Sequence, residues 1–72
     1  MTFKEHDVLW RSDGGNVVVV FNYFDMGCKY KVCRKVTRMP SGHTSWEYVI
    51  AFGTMGEAVG YAKKIYDEEV FR

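Results

Sequence analysis

The sequence predicts an α+β fold, an antiparallel meander of three to four strands with one C-terminal helix packed on one face. Two turn signals in the first half and a third before residue 45 divide the chain into short apolar pieces of strand length. After Phe52 the apolar period changes from two to about 3.6, the period of a helix. At 72 residues there is room for one compact domain and one core. An apolar fraction of 47% with 17% aromatic residues is far from the composition of a disordered chain, so that core should form.

The first strand is expected near 7–11, "DVLWR". "SDGGN" at 12–16 then supplies residues that tolerate positive φ, and a hairpin leads into a second strand near 16–24. "DMG" at 25–27 reads as a three-residue loop with Gly27 in the left-handed position, followed by a third strand near 28–38. "MPSGHTS" at 39–45 holds the only proline and stops that strand, and the fourth is expected near 45–52. Met55, Ala58, Val59, Ala62, Ile65, Tyr66 and Val70 then recur at spacings of three and four, one stripe on a helix over 54–70 with Thr54 as its N-cap. Gly56 and Gly60 each weaken that helix by about 1 kcal/mol relative to alanine, so docking on the sheet must hold it.

With "DMG" as the loop, Phe24 opposes Cys28, Asn22 opposes Tyr30, Val20 opposes Val32 and Val18 opposes Arg34. The alternate set pairs Tyr23 with Lys29, Phe21 with Lys31, Val19 with Cys33 and Val17 with Lys35. The first set is mainly apolar and is assigned to the helix side, with Arg34 snorkelling to an edge; the second is assigned outward. On the fourth strand Trp46, Tyr48, Ile50 and Phe52 are expected toward the helix, and Glu47, Val49 and Ala51 outside, with Glu47 near the lysines.

The charge is local. "CKYKVCRKVTR" at 28–38 holds five cations and no acid in a chain of formal net charge +1. Since "VVVVF" is apolar on both faces and one helix covers only one of them, Val17, Val19, Phe21 and Tyr23 are expected to stay partly exposed beside the lysines. An apolar patch with a charged rim marks an interface, and the candidate partner-binding residues are Val19, Phe21, Tyr23, Lys29, Lys31, Lys35 and Arg38. Lysine stems over exposed valines also serve solubility and edge protection, and a homodimer could bury the same face against the resistance of facing lysines.

No chemistry competes with binding. Cys28, Cys33, His6 and His43 lack the paired short spacings of a zinc site, so no metal and no cofactor is expected. Cys33 with His43 ten residues away gives no nucleophile and base, neither "SDGG" nor "FGTMGEAVG" has P-loop spacing, and Asp67, Glu68 and Glu69 read as a solvated helix end. The expectation is a non-enzyme. Cys28 and Cys33 stand five apart in one strand and point to opposite faces, so both thiols should be free. With no apolar leader in "MTFKEHDVLW" and no membrane span, a cytoplasmic location is expected.

"FGTMGEA" at 52–58 resembles the F-x-T-x-x-E-A passage from last strand to helix in AP2-type DNA-binding domains, over about a tenth of the chain. That resemblance implies a sheet laid in the DNA major groove by arginines and tryptophans on its outer face. Here lysines with Phe21 and Tyr23 would take that place, both tryptophans being assigned to the core. In size, layout and lack of catalytic residues the chain also resembles small stand-alone phage proteins, including anti-CRISPR inhibitors. This implies a stoichiometric inhibitor, in the host cytoplasm, whose partner is a host protein or nucleoprotein complex. The alternative is a small nucleic-acid-binding module in which Lys29, Lys31, Lys35 and Arg38 meet phosphates while Phe21 and Tyr23 stack on bases. A pI near 7.8 is low for such a module.

Overall fold

The structure, a computed structural model, describes residues 3–23 and 27–70, with the backbone alone at residues 69 and 70. A single 3-10 turn, Glu5–Asp7, precedes strands β1 (Val8–Arg11), β2 (Val17–Phe21), β3 (Tyr30–Arg38) and β4 (His43–Phe52) and the helix α1 (Met55–Val70). The four strands form one antiparallel sheet in the order β1-β2-β3-β4, the expected meander. Asp7, expected to begin the first strand, belongs to the 3-10 turn. No helix among the described residues is long and apolar enough to cross a membrane.

Local chemistry explains the turns. Gly14 and Gly15 take φ of +84° and +74°, which L side chains resist, and the Val17 N–H donates to Ser12 Oγ at 3.0 Å inside the hairpin. At the helix start the Glu57 N–H donates to Thr54 Oγ1 at 3.3 Å, and the Thr54 hydroxyl donates to Glu57 Oε1 at 2.8 Å. Thr54 thus caps α1 as expected.

The registers differ from the expected ones. Val18 opposes Cys33, Val19 opposes Val32 and Phe21 opposes Tyr30, a ladder shifted by one residue. The expected "DMG" loop and the pairing of Phe24 fall largely on residues 24–26, outside the described residues. A one-residue slip exchanges the two faces of a strand. Val17 and Val19 therefore lie under α1, fully buried with Val32, Ala58 and Ala62 and beside the buried Ile65. Met55, Val59 and Tyr66 complete the helical stripe against them, while the side chain of Val70 lies outside the described residues.

A bulge in β4 makes a second correction. Ile50 opposes Val32 and Tyr48 opposes Cys33, so Val49 is the extra residue and the alternation reverses before it. Val49 joins Phe52 on the helix face, and Glu47 comes beside Arg34 instead of the lysines, with its Oε1 3.4 Å from the guanidinium. Trp46, expected toward the helix, sits on the far face, and Tyr48 opposite Cys33 is half exposed.

The far face is covered too. Val18, Val20 and Cys33 are at most 1% exposed there, beneath Phe3, Val8 and Trp46. The four valines of β2 are thus sealed on both sides, each burial contributing on the order of 1.5 kcal/mol or more. The exposed valine row that the sequence predicts does not exist, because the N-terminal segment occupies the side that one helix cannot reach.

Candidate binding surface on the third and fourth strands

Five of the seven expected contact residues remain at the surface. Tyr23, Lys29, Lys35 and Arg38 are exposed and Lys31 is half-buried. Val19 is fully buried under α1 and leaves the set. Phe21 is half-buried, its ring 4.7 Å from Tyr23 and 6.5 Å from Tyr30, so it belongs to an aromatic edge and not to an open apolar patch.

Lys31 and Lys35 alternate with Cys33 and share the far face. Lys35 lies over the ring of Trp46, 5.4 Å from its centroid, where the ring quadrupole attracts the ammonium. Arg38 alternates with Arg34 and faces the other way, opposite His43 at the end of the ladder. Arg34 holds to Glu47 at the lip of a cleft that Tyr61, Ile65 and Glu68 of α1 also line.

Strand lengths shape this surface. β2 pairs with β3 only as far as Arg34, and beyond it the Lys35 N–H donates to the Asn16 carbonyl at 2.7 Å. From Val36↔Ser45 through Thr37↔Thr44 to Arg38↔His43, the strands β3 and β4 pair with each other alone. Residues 36–45 form a two-stranded arm beyond the body of the sheet, on a molecule whose long axis spans 38 Å. Its tip closes on itself: the Gly42 N–H donates to the Arg38 carbonyl at 2.9 Å, the Ser41 hydroxyl donates to the same carbonyl at 3.3 Å, and Gly42 has φ +74°. Residues 37–44 are all exposed, Met39 by 80%. The expected bounds, a second strand near 16–24 and a fourth starting near 45, hid this arm, although one signal marks it: no Asp or Glu occurs between Asp25 and Glu47.

A second cluster escaped the sequence reading. The Tyr23 hydroxyl donates to Asp7 Oδ1 at 2.6 Å, and His6 Nε2 lies 3.4 Å from the same oxygen, in a shallow cleft that Phe3 and Lys4 also line. The hydrogen bond to Asp7, with smaller contributions from desolvation and the carboxylate charge, raises the Tyr23 phenol above its ordinary value and keeps it protonated. Cys33 is pushed up to about 11, by burial first, and Lys31 offsets only part of that. Neither group is poised as a nucleophile. His43, at the arm's end opposite Arg38, stands away from Cys33, which opposes Tyr48. Cys28 and Cys33 are not joined in a disulfide, and among the described residues no three of His, Cys, Asp and Glu gather as a metal site would require. Comparison with protein-family models, with curated proteins and with solved structures gave no match, so the surface is read from its own residues.

Proposed function

We propose that the protein is a non-enzymatic, stoichiometric binding protein that occupies an acidic surface of a host protein or nucleoprotein complex, as a small phage-encoded, anti-CRISPR-like inhibitor would. Charge segregation carries this reading. Five of the ten Lys and Arg residues, and none of the nine acids, lie between Asp25 and Glu47. Four of them sit on β3 and Lys29 lies just before it, beside Tyr23 and Tyr48, both at least half exposed. Cations beside accessible aromatic rings have the composition of an interface, and the lost valine patch makes electrostatic complementarity its main source of specificity. Cysteines without a disulfide suit the reducing cytoplasm of a host.

The AP2-like alternative would lay the far face of the sheet on DNA. Phe3, tilted against Trp46, and Val8 cover part of that face, which favours a protein or nucleoprotein surface met by the strand pair. Lys31→Glu with Lys35→Glu tests the proposal, because both side chains lie outside the two buried clusters. The tagged double variant should keep its circular dichroism and lose the partner that the wild type retains at moderate salt. Retention of the same partner in the same stoichiometry would refute the assignment.

A further inference from the structure

We infer that the arm formed by residues 36–45 is a contact element for duplex DNA, entering the major groove with its tip toward the base edges. The inference rests on reading the β3–β4 pair as the docking element and adds the chemistry of what the arm touches. Three observations carry it. First, cations stand on both faces of β3 where it runs into the ribbon, Lys35 on one face at the ribbon's base and Arg38 on the other within it, with no acid from residue 26 to residue 46. A flat acidic protein patch would meet one face only, whereas a groove has phosphates along both walls. Second, the shape fits: two strands about 5 Å apart match a groove about 12 Å wide that admits a two-stranded ribbon. Third, the ribbon carries exposed hydroxyls at Thr37, Ser41 and Thr44, and its self-closed tip presents Met39 instead of packing it. Hydroxyls serve phosphates and base edges, and an apolar tip serves base contact, such as with the thymine methyl group.

Fluorescence anisotropy of the full chain with a labelled random duplex of about 20 base pairs tests this across a salt series. With roughly three cations engaged, affinity should fall about 40-fold between 50 and 200 mM salt. Arg38→Ala should weaken binding and reduce the salt slope by about one. Met39→Ser should weaken binding at every salt concentration and leave the slope unchanged. Lys63→Ala, exposed on α1, should bind as the wild type does. The inference is overturned if the wild type ignores the duplex, if Arg38→Ala binds equally well while keeping the wild-type melting temperature, or if poly-glutamate competes as well as unlabelled duplex. In the first and last cases the acidic-protein reading still stands. Failure of that broader reading would appear separately, as a host partner indifferent to the Lys31 and Lys35 reversal.

Discussion

The ring of Phe3 rests against Trp46 on the far face of the sheet, with centroids 5.1 Å apart and planes tilted by 57°. Together with Val8 they close over Val18, Val20 and Cys33. The contact joins the N-terminal segment to the most distant strand of the meander, so one side chain fastens the cover of half the core.

Phe3→Ala should therefore open that cover. Phe3 is only half-buried, so the expected loss is about 1–2 kcal/mol, below the 3–5 of a fully buried ring. The sharper readout is the thiol of Cys33, buried in the wild type. In a Cys28→Ser background a colorimetric thiol reagent should modify Cys33 many times faster after Phe3→Ala. An unchanged rate with unchanged urea midpoint would mean that the segment does not cover the thiol.

Cys33 also predicts a pH dependence. Its folded-state value is raised from 9.0 to about 11, chiefly by desolvation, so the folded protein holds the thiol proton more tightly than the unfolded chain does. This stabilisation is complete below pH 9, declines as pH rises and is lost by about pH 11, on the order of 2–3 kcal/mol in all. Lysines and tyrosines titrate in the same range, so the comparison is with Cys33→Ala. The gap between the urea midpoints of wild type and variant at pH 8 should shrink at pH 10.5, and a constant gap would refute the assignment.

The elements were legible because each carries its own signal: glycine-rich turns, the change of period after Phe52, and Thr54 before an apolar stripe. The faces of β2 were not, since four consecutive valines contain no alternation and register then depends on the connecting loop alone. The run "WEYVIAF" likewise conceals its bulge, because Tyr48, Val49 and Ile50 are apolar enough for either face. Nothing in "FKEHD" announces a cover, as Phe3 has no apolar neighbours of its own. Of the candidate site, the cations were legible as charge, whereas the arm follows from a mismatch between a five-residue β2 and the nine and ten residues of β3 and β4.

Two glycines should respond oppositely to alanine. A Cβ built at Gly60 meets nothing within 4 Å on the exposed side of α1, so Gly60→Ala should stabilise by about 1 kcal/mol and raise the melting temperature by about 4–8 °C. At Gly53 the same atom would come 3.0 Å from the Gly27 carbonyl oxygen, backbone that cannot swing aside. Gly53→Ala should lower the melting temperature, and a rise there would mean that the two loops are farther apart.

The double sealing of β2 makes the last prediction. Val19 packs under α1 and Val20 under the N-terminal cover, and both are completely buried. Each change to alanine removes apolar atoms from a closed cluster, at about 0.8 kcal/mol per methylene plus a cavity term, or about 2–3 kcal/mol in total. A sheet covered on one side only would spare one of the pair and cost the full amount at the other. Equal losses in urea midpoint for Val19→Ala and Val20→Ala are expected, and adding Phe3→Ala to each separates the faces. The Val20 double variant should lose less than the sum of its single effects, because both changes empty the same cluster, whereas the Val19 double variant should be additive. Additivity in both would place Phe3 away from Val20 and leave the second face of the strand without its cover.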